Sequence, residues 1–279
     1  MSYRTLLVHL DMGRKARERI DFALRLAASH EAHLVGWYSN YTPEPQSFYL
    51  RTELAEGLEH IRADRLATGN VLRQYLEDAA ARAGVTAEWR CTDDHPNVSL
   101  PLHARHADLV VIGQNDPEDA RAFVAPGFIG NLLMTAGTPV LVVPYIGARA
   151  TLGQRPLVAW DCSRSVGRAL HDALPFLRHA ERCDLLTVNP VGNEDDKPRL
   201  AGAEIATMLA RHGVEIRVHT LDGVPHRQIA ETLLSQAADL GSDLIVAGAY
   251  GHVRIAELVL GGVTRTLLDS MTVPVLFSH

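Results

Sequence analysis

Lysine is almost missing from this 279-residue chain: among 27 basic residues, only Lys15 and Lys197 are lysines. Acidic residues number 33, which leaves a net charge of −6. Non-specific binding of nucleic acid needs a basic surface, so no such partner is expected. Contacts with an anion are left to arginine and to backbone. Cysteine is scarce too. Cys91, Cys162 and Cys183 are odd in number and have no C-x-x-C spacing. That argues against a disulfide or metal framework and fits a reducing cytoplasm. Cys162, at a predicted strand end, is either a reactive thiol or an incidental small residue. No apolar run reaches the roughly 18 residues of a membrane span. The opening MSYRTLLVHLDMG has too short an apolar run for a secretory signal. Familiar catalytic motifs are lacking as well. There is no G-x-x-x-x-G-K-[ST], no strand-bound G-x-G-x-x-G and no G-x-S-x-G. An ordinary P-loop, a dinucleotide fingerprint and an α/β-hydrolase nucleophile are thereby excluded. The pairs His30/His33 and His103/His106 have i,i+3 spacing but no third ligand, and read as surface histidines.

What is present is a repeat. TLLVHLD (5–11) matches RPLVAWD (155–161), and RAGVTAEWRCTD (82–93) matches RHGVEIRVHTLD (211–222). HADLVVIGQND (106–116) matches GSDLIVAGAYG (241–251), and GTPVLVVPY (137–145) matches TVPVLFSH (272–279). The offsets are 150 for Asp11 to Asp161, 129 for Gly84 to Gly213, and 135 for both Gly113 to Gly248 and Pro139 to Pro274. Order is kept and length differs only in connections, as in a duplicated domain whose loops absorb the changes. The first half carries an insertion over 43–80, where Phe48, Tyr49, Leu50 and Leu54 either cover a pocket or pack on their own domain. The copies divide near YIGARATLGQRP, giving domains 1–147 and 151–279.

Each half alternates short Val/Ile/Leu runs with longer helical patterns. In the second half the runs are 157–160, 184–188, 214–220, 243–248 and 273–277. Unbroken apolar runs mark strands buried on both faces, which are usually parallel. Alternation with helices gives right-handed βαβ units. The expected fold class is therefore α/β: two tandem doubly wound parallel-sheet domains of five strands each. The closing strands would lie at sheet edges, and an exposed apolar edge invites pairing. Pairing them with each other makes a pseudo-two-fold, an internal pseudo-dimer.

Ligands of open α/β sheets bind beyond the carboxyl ends of the strands, where strand order reverses. In the second half, Asp161 and Ser163 follow the first strand; they bind a ligand, cap the next helix, or do both. Val188 ends the second strand, where it either presents backbone to a flat base or is simply buried. After the fourth strand comes GAYGHVRIAELVLGGVTRT (248–266). Its glycines precede a helix whose first N–H groups lack partners, a place suited to phosphate. The same glycines also serve as plain turns. Thr264 supplies a hydroxyl, and Arg254 and Arg265 are candidate charge partners.

Gly248, Gly251 and Gly261 follow the G-x2-G-x9-G-[S/T] pattern, and DLIVAGAYGHVRIAELVLGGVTRTLLDSMTVPVLF resembles the C-terminal signature of the universal stress protein family over its whole length. The resemblance extends to both halves, so the chain looks like a tandem member. It implies an adenine-nucleotide α-hydrolase-like fold, a cytoplasmic stress-linked role, and ATP, with or without Mg²⁺, as ligand. It places the base near Asp161 and Val188. It places the phosphates on Gly248, Gly251, Gly261, Gly262, Val263 and Thr264; Ser163, His252 and Arg254 are counted with them as candidate nucleotide-binding residues. Two departures stand out. Gly262 occupies the position of the family's Ser or Thr, removing a hydrogen bond of about 1 kcal/mol. The first copy reads GQNDPEDARAFVAPGFIGN, where Asp116, Glu118 and Asp119 would repel phosphate. The expectation is a non-enzymatic binding or regulatory protein with a nucleotide site in the second copy only and a protein partner of unknown identity. The alternatives are a slow ATP hydrolase, and a scaffold or pocket for another small ligand. Further pairing as a homodimer is left open.

Overall fold

Strands built from unbroken apolar runs need cover on both faces, and they receive it here. The structure is a computed structural model that describes residues 2–42, 55–147, 151–189, 202–249 and 261–279. The chain forms two compact units, 3–128 and 129–279. In the first unit the order is β1 (Thr5–Leu10), α1 (Ala16–His30), β2 (His33–Ser39), α2 (Ala55–Ala83), β3 (Ala87–Thr92), α3 (Pro96–Ala104) and β4 (Leu109–Gly113). Its sheet runs β3-β2-β1-β4 with the registered pairs parallel. Strand order reverses between β1 and β4. Leu109, Val110, Val111 and Ile112 of β4 are all without exposed surface, as a strand covered on both faces requires.

Helix α4 (Phe128–Thr135) leads into the second unit, which contains β5 (Val140–Val143), β6 (Pro156–Trp160), α5 (Arg164–Leu177), β7 (Cys183–Val188), α6 (Gly202–Arg211) and β8 (Ile216–Leu221). It is completed by α7 (Ile229–Asp239), β9 (Leu244–Gly248), α8 (Gly262–Ser270) and β10 (Val275–Ser278). The strands lie in the order β5-β10-β9-β6-β7-β8. All registered pairs are parallel except β5 with β10. The two closing strands therefore do pair, antiparallel about Leu141 and Leu276. This satisfies the apolar edges that the sequence left open. The strand that closes the first repeat, β5, thus belongs to the second compact unit.

The repeat is visible in single bonds. The Asp108 carboxylate accepts the N–H groups of Arg4 and Thr5, at 2.7 and 2.9 Å. Asp243, 135 residues on, accepts those of Gln154 and Arg155, at 3.0 and 2.9 Å. Each ties the start of the fourth strand to the start of the first. The buried positions Ala16, Arg19, Ile20, Ala23, Leu24 and Ala27 of α1 recur 150 residues later in α5 as Val166, Ala169, Leu170, Ala173, Leu174 and Leu177.

The insertion of the first copy is helical from Ala55 and runs to Ala83. It packs on its own unit: Leu72, Leu76, Ala79 and Ala80 are buried. Gly36 admits Leu76, since a Cβ there would meet Leu76 Cδ2 at 2.5 Å. Phe48, Tyr49, Leu50 and Leu54 lie outside the described residues. The histidine pairs do not share helix faces. His30 ends α1 while His33 starts β2, and His106 lies beyond the end of α3. His103 is half-buried with its ring 6.2 Å from that of Trp37, so it is no surface histidine.

Candidate functional site

In the second unit the order β10-β9-β6-β7 reverses between β6 and β9, so their carboxyl ends flank the crevice. Asp161 follows β6 and Gly248 ends β9. The turn after β6 is set by its own polar groups. Asp161 Oδ1 accepts the Ser163 N–H at 2.8 Å, with Cys162 between them in the left-handed region at φ 63°. Ser163 Oγ accepts the Val166 N–H at 3.2 Å and so caps α5. Ser163 is thus the helix cap, while Asp161 is half-buried and makes no ion pair among the described residues. Ser165, which the sequence reading passed over, sits 3.0 Å from Ser163, hydroxyl to hydroxyl. A Cβ on Gly248 would meet Ser165 Oγ and Val166 N at 2.5 Å. The glycine is there because the end of β9 abuts the start of α5.

Val188 ends β7 and registers with Leu221 of β8. The Asn189 N–H bonds Leu221 O at 2.7 Å. Amides alternate along a strand, so the Val188 amide turns the other way, toward the end of β6. Trp160 registers with Thr187, which brings Val188 alongside Asp161. Trp160 Nε1 and Thr187 Oγ1 are buried without a hydrogen-bond partner among the described residues. At their places the first copy has Leu10 and Tyr38, and the Tyr38 hydroxyl donates to Arg65 O at 3.0 Å.

Helix α8 starts at Gly262 with Gly261 as its cap residue, which has no side chain to cap it. Among the described residues, a Cβ added at either glycine meets nothing within 4 Å. Among those residues the first-turn backbone is therefore approachable, as a phosphate would need. Thr264 is buried, whereas Arg265 is exposed and leans toward Asp269 at 3.7 Å. Gly251, His252 and Arg254 lie outside the described residues. Among the described residues, no cluster of three His, Cys, Asp or Glu side chains could hold a metal, and no helix is long and apolar enough to cross a membrane. Burial, helped by Asp184, pushes the Cys183 thiol up to about 12 and leaves it inert at neutral pH.

The first copy fills the same place with its own side chains. Asp11 Oδ1 accepts the Gly13 N–H at 2.8 Å, repeating the Asp161 turn. Its other oxygen takes the Arg19 guanidinium at 2.6 Å. Arg19 lies over Gly113, where a Cβ would meet Cζ at 2.8 Å. Asp116 is buried and pairs with Arg14 at 2.8 Å, a bond that raises the pKa of that guanidinium. Asp119 Oδ2 accepts the Arg14 N–H at 2.7 Å. The 3-10 turn Ala120–Ala122 then lies so close that a Cβ on Gly13 would strike Ala122 Cβ at 2.7 Å. Asp116 and Asp119 thus differ from the expectation: both carboxylates face the start of α1 as internal partners, and only Glu118 remains an exposed negative charge.

The family model of the universal stress proteins matches residues 154–279. Universal stress protein Slr1230 of Synechocystis is 30% identical over 178 residues, 61% of this chain and 57% of its own length. Universal stress protein MJ0577 of Methanocaldococcus jannaschii is 31% identical over 64 residues, 23% of this chain and 37% of its own. The chain thus spans less than two thirds of either curated relative. A solved universal stress protein of Archaeoglobus fulgidus covers 98% of this chain and 95% of its own at 17% identity, with a TM-score of 0.66. A putative universal stress protein of Pseudomonas aeruginosa covers 99% and 93% at 17% identity and 0.61. The fold is accordingly the adenine-nucleotide α-hydrolase-like one over both halves. The second repeat thus matches the universal stress protein family model, and solved proteins of that family share the fold of both halves.

Proposed function

We propose that this protein is a cytoplasmic, non-enzymatic binding protein that holds an adenine nucleotide in its second copy and none in its first. The observation that carries this reading is the bare start of α8. Gly261 and Gly262 bring no side chain to the first-turn N–H groups, and among the described residues there is open space where side chains would stand. Such a terminus attracts a phosphoryl group through its unpaired donors and partial positive charge. Across the crevice, Asp161 accepts from a ribose hydroxyl or an amine, and Val188 meets the base with backbone. The sequence assigns the phosphate side to Gly248, Gly251, His252, Arg254, Gly261, Gly262, Val263 and Thr264. With no P-loop lysine, charge compensation for a polyphosphate falls to Arg254 or to Mg²⁺ brought in with the nucleotide. No residue in this set is placed as a dedicated base, so occupancy acts through the surface shown to a protein partner, not through turnover. In the first copy the internal pairs of Arg14, Asp116 and Asp119 stand in the way of a ligand. Calorimetry and thermal shift with ATP and AMP, with and without Mg²⁺, test the reading. The expected result is one site per chain, abolished by Gly251→Asp. No heat and no shift at millimolar nucleotide would sink it.

A further inference from the structure

We propose that the residue at position 19 of the first copy, and its counterpart Ala169 in the second, decides whether the crevice aspartate is available to a ligand. This rests on the nucleotide reading above and names a determinant which that reading did not contain. The two positions correspond by the offset of 150 and by the shared burial pattern of α1 and α5. The side chains of Arg19 and Asp11 are 6% and 8% exposed, and their atoms approach to 2.6 Å. Arg19 Nη1 also donates to His9 O at 3.4 Å, and its guanidinium roofs Gly113. A charge-assisted hydrogen bond is roughly twice as strong as a neutral one, so a ligand hydroxyl does not displace it. Asp11 is therefore closed to ligands.

Ala169 has no exposed surface and no charge to offer. Asp161 keeps its turn bond to Ser163 and has no cation among the described residues. Its second oxygen remains an acceptor at the mouth of the crevice. The chemistry that meets it is a paired donor, such as a ribose diol or an amine. One buried side chain in the middle of a helix turn thus separates an aspartate tied within the protein from one that can bind a ligand.

The test uses the full chain. In thermal unfolding without ligand, Asp11→Asn should lower the midpoint by roughly 5 °C or more. Asp161→Asn should lower it by about 2 °C or less, as for a substitution that breaks no buried pair. Equal shifts overturn the proposal, and they do so whether or not a nucleotide binds. In calorimetry with ATP and AMP, Ala169→Arg should weaken binding about tenfold or more, the worth of a hydrogen bond to a charged group. Ala169→Met, of similar bulk but uncharged, should weaken it less than about threefold. Equal loss in the two variants means that bulk alone acts, and overturns the proposal. A wild-type chain that gives no heat with nucleotide sinks the proposed function, and the thermal comparison alone then decides this assignment. The thermal comparison also decides it if Ala169→Arg does not fold.

Discussion

The crevices of the two copies begin from the same parts and end in different states. Both have an aspartate after the first strand, its Oδ1 holding the N–H two residues on. Both end the fourth strand in glycine. In the first copy the rest of the chain closes over these parts through Arg19, Arg14, Asp116, Asp119 and the turn at Ala122. In the second, among the described residues, the aspartate lacks an ion pair and no side chain stands at the helix start at Gly261. The difference lies in which groups meet the polar atoms of the crevice: in the first copy they are side chains of the chain itself. A binding crevice holds polar groups that want partners, and side chains of the chain itself can supply them. Removing one member of such a buried pair afterwards is costly, so the closed state is held in place.

The largest expected effect comes from the two terminal glycines. Gly248→Ala puts a methyl 2.5 Å from the backbone N of Val166, which cannot move without displacing α5. The cost should be about 3 kcal/mol, the upper end for overpacking. Gly113→Ala meets instead the guanidinium end of Arg19 at 2.8 Å. A side-chain end yields more cheaply, and about 1 kcal/mol is expected. Urea unfolding of the two variants measures the gap. Equal costs would show that Arg19 is held as rigidly as backbone.

The scaffold was largely legible in the sequence because it is written in apolar periodicity. The runs at 157–160, 184–188 and 243–248 became strands within a residue of their ends. The edge pairing of β5 with β10 followed from the apolar closing strands. The positions of Asp161, Val188 and Gly248 around one crevice followed from strand order. The content of the first crevice was not legible. The acidic run 116–119 suggested repulsion of phosphate, whereas Asp116 is buried against Arg14 across 102 residues of chain. Arg19 reads as one more polar residue of an amphipathic helix until the offset of 150 sets it opposite Ala169. Long-range ion pairs leave no periodic trace, so only the comparison of the copies exposes them.

A second contrast concerns protons. His9 is buried between Trp37 and Phe128, with ring centroids at 5.6 and 4.7 Å. Burial, and secondarily Arg19, holds its pKa well below 6.5. The unfolded chain therefore binds a proton on His9 before the folded one does. Its neutral form favours folding above pH 6.5, and stability is lost as pH falls from 6.5 toward the depressed folded value. The loss should reach about 1.4 kcal/mol per pH unit in that window. The second copy has Ala159 at this place, so the slope belongs to the first unit. Hydrogen exchange at pH 7.5 and pH 5.5, followed separately in the two units, should show the first unit weakening more. His9→Ala costs stability through the cavity but should flatten that pH slope. An unchanged slope would assign the proton uptake elsewhere.

The smallest effect bears on the glycine that departs from the family pattern. Gly262 opens α8, and among the described residues a Cβ there meets nothing within 4 Å, so serine fits beside them without rearrangement. In the ligand-free chain Gly262→Ser changes little, because an exposed helix glycine gains only a few tenths of a kcal/mol on replacement by a better helix former. With a phosphate at the helix start, the new hydroxyl adds one hydrogen bond of about 1 kcal/mol, close to a fivefold gain in affinity. The gain should appear with AMP and ATP and be absent with adenosine, which has no phosphate to receive it. Equal affinities of the variant and the wild type for all three would mean that the bare turn of α8 is not where the phosphate rests. The asymmetry between the copies would then lie in their aspartates alone.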